Sequence, residues 1–425
     1  MATIDLMKSK SDFETIEKME SQVRSYSRGF PAVFHKAKDS YIYDTSGKPY
    51  LDFLSGAGSL NYGHNNSFIV ESAISYLKDG GVLQGLDLAT SAKIEFLNDF
   101  NRIVLEPIHQ QFRVQFTGPT GTNAVESAIK LARKVTGRRS IAAFTNAFHG
   151  VSLGALALTG NGFKRRAAQV SLNDVTRLPF DGYFGTGFET LAYARQLFND
   201  PSSGIEVPAA FIVETVQGEG GLNVARNEWL QELASLARSL DSLLIVDDIQ
   251  AGCGRTGSFL SYQRSGIYPD IVCLSKSISG IGLPMALMLI KPEYDQWAPG
   301  EHNGTFRGNN LAFVTAKAAL TFWEDHKFST HVSDLATQIA YELDNMISEF
   351  PNLLKRRKGL GLFQGIEFAE PSLSLKTREE LFSKGMIAES SGARGEVLKV
   401  MPALTITKEL LEAGLLKIRQ TLARL

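Results

Sequence analysis

The sequence predicts an α/β fold in which a large domain with a mainly parallel sheet is joined to a smaller α+β domain. Between residues 112 and 291, short strand-like apolar runs alternate with helical stripes, a pattern typical of a parallel sheet covered by helices. At 425 residues the chain is too long for one simple core, given roughly 150 residues per domain. The two chain ends carry hairpin and helix patterns of their own, which indicates a second, smaller core.

Six strand-like runs lie in the central region, and glycine and proline separate short elements there without forming a long linker. The runs cover 113–116, 140–144, 209–214, 243–248, 271–275 and 286–290. Two helical stripes between them place apolar residues at the spacing of a helix core face. The first stripe consists of Ala124, Ala128, Leu131, Ala132 and Val135, and the second of Trp229, Leu230, Leu233, Leu236, Ala237 and Leu240.

Both chain ends are expected to contribute to the smaller domain. Residues 41–44 and the polar turn at 46–48 are typical of a β-hairpin. At the other end an amphipathic helix is predicted from Leu410, Leu411, Leu415, Ile418 and Leu422. We therefore divide the chain into an N-terminal segment 1–60, a large domain 61–320 and a C-terminal part 321–425, with the first and last parts forming the small domain.

Composition narrows the range of partners. The formal net charge of −1 gives no electrostatic reason to expect nucleic acid or an anionic membrane, so small molecules and other subunits are expected instead. The N-terminus lacks a signal-peptide pattern, and the longest apolar stretch, 283–290, is far shorter than the roughly 20 residues of a membrane helix. Two isolated cysteines, Cys253 and Cys273, fit buried reduced thiols in the cytoplasm. The histidines lack metal-ligand spacing, so no metal site is expected.

Residues 243–276 carry the strongest chemical signal. An apolar run ends at Asp247, a glycine-rich turn follows, and a second apolar run ends at Lys276. Pyridoxal phosphate needs a carboxylate that keeps its pyridine nitrogen protonated and an amine that holds its aldehyde as a Schiff base. Burial at a strand end would lower the pKa of the lysine, which favours both Schiff-base formation and proton transfer. Asp247 and Lys276 therefore predict the two ends of a pyridoxal-phosphate site.

A glycine-rich loop at 117–122 leads into a predicted helix near Asn123, with Glu126 as the expected capping-box partner. Backbone amides and the helix dipole at such a start attract anions. We expect the cofactor phosphate on the amides of Gly121 and Thr122 and on the Thr122 hydroxyl.

Each of these residues has a simpler interpretation when taken alone. Asp247 could cap a helix, Lys276 could extend its amine to water, and the glycine loop could be an ordinary turn. Their combination favours the cofactor site. A nucleotide-binding dehydrogenase would explain the loop but not the Asp–Lys pair, and the loop lacks the Gly-x-Gly-x-x-Gly form. A mutase, a decarboxylase or a non-catalytic relative with the same fold stays an alternative.

The same segments resemble the class III (ω-type) aminotransferases of fold type I, and the likeness extends over nearly the whole chain. Residues 247–257, Asp-Asp-Ile-Gln-Ala-Gly-Cys-Gly-Arg-Thr-Gly, are similar to the family's Asp-Glu-Val-Gln signature. The resemblance implies a seven-stranded, mainly parallel sheet and an enzyme that uses pyridoxal 5′-phosphate. It further implies that Asp247 meets the pyridine nitrogen, Ile249 packs beneath the ring and Gln250 bonds the ring hydroxyl.

The remaining cofactor contacts follow from the same resemblance. Lys276 is implied as the Schiff-base lysine, Gly121 and Thr122 as the phosphate site, and Phe148 as the aromatic ring on the cofactor's other face. Thr305 is implied to bind the phosphate of the neighbouring subunit. The expected assembly is a homodimer, or a higher homo-oligomer, with shared active sites.

Within the family, the likeness is greatest to members of the ectoine pathway that transfer an amino group from glutamate to aspartate 4-semialdehyde. Their products are 2-oxoglutarate and L-2,4-diaminobutyrate, and the reaction is ping-pong. The likeness is carried by residues 20–34, 55–66, 274–280 and 300–310. Specificity of the ornithine, acetylornithine or 4-aminobutyrate type is the alternative.

The expected substrate contacts depart from the usual family pattern. Ornithine enzymes have a tyrosine and an arginine where this chain has Ala57 and Val151. Lys399 stands where most members have an arginine for glutamate's α-carboxylate, so the charge is kept but the bidentate fork is lost. Arg307, in place of a usual glycine, is a candidate substitute or accomplice, and an interface ion pair is the alternative interpretation of this residue. Glu219 matches a residue that, in relatives, pairs with the missing arginine and moves away when glutamate binds.

Overall fold

The computed structural model describes residues 13–185 and 187–425. Its largest element is a seven-stranded sheet in which only Leu287–Ile290 runs antiparallel to its neighbours. The predicted fold class is therefore confirmed. In spatial order the strands are Arg113–Phe116, Leu287–Ile290, Ile271–Leu274, Leu243–Asp247, Ala210–Val213, Ile141–Phe144 and Val175–Leu178.

The six strand-like runs form strands whose ends lie within one residue of the predicted ends. These strands could be predicted from the sequence because the central strands are buried on both faces and are therefore continuously apolar. The seventh strand, Val175–Leu178, was not predicted. It lies at the sheet edge and contains Arg177, whose guanidinium donates hydrogen bonds to the carbonyl oxygens of Ala157 and Thr159.

Helices cover both faces of this sheet. The helix Asn227–Ser239 packs with Leu244 and Val246 on one face, and the helix Gly121–Thr136 packs with Leu243 and Ile245 on the other. Both predicted stripes are confirmed as core faces, with Val135 and Leu240 only partly buried at their ends. Further helices include Tyr26–Gly29, Ser55–Gly58, Ser67–Lys78, Ser91–Phe100, Leu153–Leu158, Gly162–Arg166, Thr190–Asn199, Asn310–Leu320, His326–Glu349, Pro371–Ser383 and Lys408–Leu422.

The chain ends form two smaller sheets, and one of these combines strands from both ends. The predicted hairpin is confirmed as the antiparallel pair Tyr41–Asp44 and Pro49–Asp52. The terminal helix is confirmed as well, because Leu411, Leu415, Ile418 and Leu422 are buried in one core with Leu51 and Phe53. The division at residues 60 and 320 stays a prediction. One small sheet contains Phe34–Lys38, Tyr41–Asp44, Pro49–Asp52 and Met386–Ile387, and the other contains Leu354–Leu360, Phe363–Phe368, Val397–Val400 and Glu389–Ser391.

The parallel strands bring the predicted chemical groups to one edge of the large sheet. Leu243–Asp247 ends in Asp247 itself and pairs with Ile271–Leu274, which is followed within two residues by Lys276. Carboxyl ends of parallel strands are where ligands bind in open α/β sheets. Within the described residues, no helix is both long and apolar enough to span a bilayer.

Candidate active site

Asp247 is buried at the end of its strand and is held from two sides. One carboxylate oxygen accepts the Ile249 amide at 3.2 Å, and the other lies 2.7 Å from Nδ1 of His149. The other ring nitrogen of His149 is buried and finds no partner among the described residues. Sequence reasoning missed His149, although Phe-His-Gly at 148–150 was a usable signal. The histidine fixes the direction in which the Asp247 carboxylate points.

Lys276 opens a single 3₁₀ turn, Lys276–Ser279, immediately beyond the neighbouring strand. Its backbone has a positive φ of 50°, a conformation that non-glycine residues rarely adopt and that clusters at functional sites. Burial lowers the pKa of the amine, although the Glu219 carboxylate opposes that effect. A lysine amine with a lowered pKa is a better nucleophile and base than an ordinary surface lysine.

The helix Gly121–Thr136 begins at the residues where the phosphate is expected, but its cap differs from the prediction. The Thr120 amide and hydroxyl both donate to Oδ1 of Asn123, so Asn123 is the capping-box partner. Glu126 was wrongly assigned that role, because the helix begins at Gly121 and not near Asn123. Within the described residues, the amides of Gly121 and Thr122 donate to no acceptor, so they are free to bind a phosphate.

Glu126 instead orients the side of the anion site. Its Oε1 accepts hydrogen bonds from the Ser152 hydroxyl at 2.6 Å and from the Ala155 amide at 2.9 Å. The Ser152 hydroxyl lies 2.6 Å from that of Thr122. Ser152 was not predicted, because nothing in the local sequence connects it with a helix that begins some thirty residues earlier. The Thr122 hydroxyl is thereby held beside the free amides.

Three predicted cofactor residues surround the space between these groups. A Cβ at Gly121 would lie 2.9 Å from the Ile249 side chain, so glycine is needed for the helix start to approach Ile249 this closely. Gln250 donates through Nε2 to the carbonyl oxygen of Ala57 at 3.0 Å. The Phe148 amide donates to the Glu214 carboxyl at 2.9 Å. These contacts join five separate chain segments at the site.

Glu214 is a further buried acid that the sequence did not single out. Its carboxyl accepts hydrogen bonds from the amides of Phe148 and Gly218. Burial raises the pKa of Glu214 well above its usual value, and the nearby Asp247 carboxylate raises it further. A proton is therefore retained on Glu214 more readily than on a surface glutamate, which limits the negative charge around Asp247.

Glu219 and Lys399 form an ion pair, so Lys399 pairs with Glu219 as the arginine does in relatives. Lys399 Nζ donates to Glu219 Oε1 at 2.9 Å and also lies 2.7 Å from Glu389 Oε2. The Tyr26 hydroxyl donates to the other oxygen of Glu389 at 2.7 Å. The Lys399 charge lowers the pKa of Glu219 to about 2, even though burial alone would raise it. Glu389 and Tyr26 were not predicted.

Thr305 and Arg307 lie apart from that ion pair. Thr305 is exposed, and its carbonyl oxygen accepts a hydrogen bond from Gln84 at 3.1 Å. Arg307 pairs with Asp87 at 3.7 Å. Within one described chain, Arg307 is therefore joined to Asp87 and not to Lys399, and its proposed contact with substrate stays a prediction.

The residues brought together fit pyridoxal phosphate. The cofactor combines a phosphate, a pyridine nitrogen and an aldehyde, and the site offers free helix-start amides, a buried carboxylate and an amine of lowered pKa. The buried, unpartnered His149 nitrogen adds a polar atom behind the carboxylate. This donor set matches the cofactor's three ends in kind and in charge.

Comparison with known proteins gives the same class. Residues 23–422 match the family model described as aminotransferase class-III. The chain therefore belongs to the class-III aminotransferases, which confirms the resemblance seen in the sequence and implies pyridoxal phosphate as cofactor. Diaminobutyrate–2-oxoglutarate transaminase of Bordetella parapertussis is 54% identical over 406 residues, which cover 95% of this chain and 93% of the relative. The Halalkalibacterium halodurans protein of the same name is 49% identical, covering 98% of each chain.

Solved structures share the fold over the whole chain. Ornithine aminotransferase of Toxoplasma gondii has a TM-score of 0.85 at 26% identity, covering 100% of this chain and 97% of that one. A second structure of that enzyme, with a TM-score of 0.83 at 26% identity over 98% and 94% of the chains, is described as having partial occupancy of PLP at its active site. An aminotransferase of Bacillus anthracis, 21% identical with a TM-score of 0.87 over 99% of each chain, supports the fold alone.

Proposed function

We propose that this aminotransferase moves an amino group between glutamate/2-oxoglutarate and the distal position of L-2,4-diaminobutyrate/aspartate 4-semialdehyde. The observation that carries the proposal is the near-complete match to diaminobutyrate–2-oxoglutarate transaminases, at about 50% identity over more than nine-tenths of both chains. The site chemistry agrees, since it combines the Lys276 amine, Asp247 and an ion pair at Lys399.

The choice of diaminobutyrate over ornithine is also supported by the residues at two positions where ornithine enzymes bind the substrate's α-carboxylate. Ala57 and Val151 carry neither the phenol nor the guanidinium that ornithine enzymes use for the substrate's α-carboxylate. The Ala57 carbonyl oxygen is occupied by Gln250, and the Val151 side chain is exposed. Ornithine is therefore disfavoured as the amine donor.

The proposed chemistry is ping-pong: glutamate gives its amino group to the enzyme, and the semialdehyde then receives it. When bound, pyridoxal phosphate supplies an electron sink that stabilises the carbanion formed as the substrate loses a proton. Lys276 Nζ takes that proton as base and returns it as acid. Asp247, oriented by His149, would supply the negative charge for the pyridine nitrogen, and the free amides of Gly121 and Thr122 would hold the phosphate.

Glu219 and Lys399 would distinguish the two half-reactions. When glutamate is bound, its α-carboxylate lies on the reacting carbon and needs a cation, which Lys399 supplies once Glu219 moves aside. When diaminobutyrate is bound by its distal amine, the reacting carbon carries no carboxylate, so Glu219 and Lys399 stay paired. A single site then accepts both substrates without two separate cations.

We further propose a homodimer whose two chains complete each site. Thr305 is exposed on the described chain, and its carbonyl oxygen accepts a hydrogen bond from Gln84. Phe306, the next residue in the chain, has an exposed apolar side chain. Leu83, Leu86 and Leu88 are also exposed, and they lie in the same loop as Gln84, which contacts Thr305. Apolar surface of this kind is typical of an interface between subunits.

Arg307 tests the shared site. If its guanidinium reaches a glutamate carboxylate in the assembled enzyme, Arg307→Ala is expected to raise the KM for glutamate about fivefold or more, as for a lost charged hydrogen bond. Asp87→Ala is the matched control, because it removes the same ion pair but keeps the guanidinium. An R307A variant with unchanged KM for glutamate and diaminobutyrate, or a D87A variant with the same defect, would contradict the role. Light scattering on each variant checks that the dimer persists.

The product would serve ectoine formation, as in the members that the sequence resembles.

A reducing compartment, the cytoplasm, is proposed as the location. Both Cys253 and Cys273 are buried free thiols, and burial raises the pKa of each, so neither is poised for disulfide formation.

The substrate pair can be tested by absorbance. The purified enzyme with bound pyridoxal phosphate is expected to lose its visible band on mixing with glutamate or with L-2,4-diaminobutyrate, and to change little with ornithine or 4-aminobutyrate. A stronger response to ornithine or 4-aminobutyrate would keep the aminotransferase chemistry but overturn the substrate. Release of carbon dioxide would favour a decarboxylase.

A further inference from the structure

Lys399 lies between two carboxylates, although the proposed exchange of Glu219 for a substrate carboxylate requires only one. Its Nζ is 2.9 Å from Glu219 Oε1 and 2.7 Å from Glu389 Oε2. The lysine is fully buried in the strand Val397–Val400, and Glu389 lies directly opposite it in the neighbouring antiparallel strand. The Glu389–Lys399 contact is therefore fixed by strand pairing, whereas Glu219 approaches from a separate loop.

The two carboxylates differ in freedom. The Glu219 side chain is 31% exposed and faces a cavity of about 390 Å³ that is also lined by Phe148 and Lys164. The Glu389 side chain is 12% exposed, and its second oxygen accepts the hydroxyl of Tyr26. Glu219 has space to move, and Glu389 does not.

The charge balance of the cluster explains why both are needed. An ammonium buried without a counter-ion is costly and tends to lose its proton. Although burial lowers it, the pKa of Lys399 is raised overall by the carboxylates of Glu219 and Glu389. If Glu219 left and Glu389 were absent, the buried lysine would have no counter-ion at the moment when it must bind a substrate anion.

We infer that Glu389, held by Tyr26, is the permanent counter-ion of Lys399 and thereby a specificity-determining residue for substrates that carry a carboxylate on the reacting carbon. Lys399 then keeps two carboxylates throughout: Glu389 with Glu219 when the site is closed, and Glu389 with the substrate's α-carboxylate when it is open. Strand pairing and the Tyr26 hydroxyl replace the rigidity that a planar guanidinium would have supplied. This inference rests on the proposed use of glutamate.

The test compares the two carboxylates in the holoenzyme, using glutarate as a non-reacting dicarboxylate and calorimetry to measure its Kd. Glu389→Gln is expected to weaken glutarate binding and raise the KM for glutamate about tenfold or more, because one partner of a buried charge pair is lost. Glu219→Gln is expected to leave glutarate binding unchanged or tighter, because it removes the group that glutarate must displace. The L-2,4-diaminobutyrate half-reaction, followed on its own as a single turnover by loss of the visible band, should change in rate less than about threefold in E389Q, since it leaves Lys399 paired with Glu219.

Two further variants keep the result interpretable. Tyr26→Phe should change glutarate binding in the same direction as E389Q but by less, and it decides the question if E389Q does not fold. Glu342→Gln, which breaks an ion pair with Arg419 remote from the site, should alter neither half-reaction. Unchanged glutarate affinity in E389Q, or in Y26F where E389Q fails to fold, would overturn the inference, as would an equal fall in both half-reactions. If the wild type does not react with diaminobutyrate, the proposed function fails, but the glutarate affinities still decide the role of Glu389.

Discussion

Replacing Lys276 by alanine is expected to lower kcat by more than about 10⁴-fold. Proton transfer by a positioned side chain is worth roughly 10² to 10⁴ in rate, and the variant also loses the amine that attaches the cofactor. The structure supports this size of effect, because burial lowers the pKa of Lys276 and the residue holds a strained backbone conformation at the strand end. Steady-state turnover with glutamate and a semialdehyde acceptor is the measurement.

A second lysine of the same sheet provides the control for Lys276→Ala. Lys291 directly follows the strand Leu287–Ile290 and donates to Asp270 at 2.7 Å. Because that strand is antiparallel, Lys291 lies at the end of the sheet opposite to Lys276. Lys291→Ala is expected to cost about 1–3 kcal/mol of unfolding free energy, because it leaves the mostly buried Asp270 carboxylate unpaired, while kcat changes less than about twofold.

Borohydride reduction followed by mass spectrometry separates attachment from folding. The wild type and K291A should gain the mass of the reduced cofactor, and K276A should not. Steady turnover by K276A, or cofactor attachment at another lysine, would refute the assignment of Lys276.

The contrast between these lysines also shows what the sequence could provide. Both follow apolar runs, so periodicity alone gives them equal standing. The two lysines differ in their position relative to the strand that ends in Asp247. The strand before Lys276 runs parallel to it, so Lys276 and Asp247 lie at the same end of the sheet, whereas the strand before Lys291 runs antiparallel. Buried strands and the residues at their ends were therefore predictable. The edge strand Val175–Leu178, short and half polar, was not.

Groups that support the site from a distance in the chain could not be predicted. The Tyr26 hydroxyl and Glu389 are separated by 363 positions, in the helix Tyr26–Gly29 and the strand Glu389–Ser391, and they meet only in the assembled fold. His149 differs, because Phe-His-Gly at 148–150 was a usable local signal; its partner Asp247, 98 positions away, was not evident from the sequence. Local patterns carry strand and helix identity, but pairings between distant loops depend on the assembled fold.

The neighbouring aspartates 247 and 248 are expected to respond very differently to the same substitution. Asp247→Asn removes the hydrogen-bond partner of His149 and the charge proposed to face the pyridine nitrogen, and losing one partner of a buried charge pair costs about 3–5 kcal/mol, roughly 10² to 10⁴-fold in kcat. The Kd for pyridoxal phosphate should rise as well, which equilibrium dialysis would measure. Asp248→Asn is the matched control and should retain kcat within about threefold of wild type.

Asp248 is expected to tolerate the change because it is partly protonated already. It is fully buried, one of its oxygens finds no partner among the described residues, and burial raises its pKa to about 7. A raised folded-state pKa means that the acid stabilises the fold most below its unfolded pKa, near 4, and that this contribution is lost as the pH rises towards 7. D248N should therefore gain urea resistance relative to wild type between pH 5 and pH 8, whereas D247N should not. Equal losses of kcat in both variants would show that the buried negative charge is not specific to Asp247, and would remove the basis for assigning it to the pyridine nitrogen.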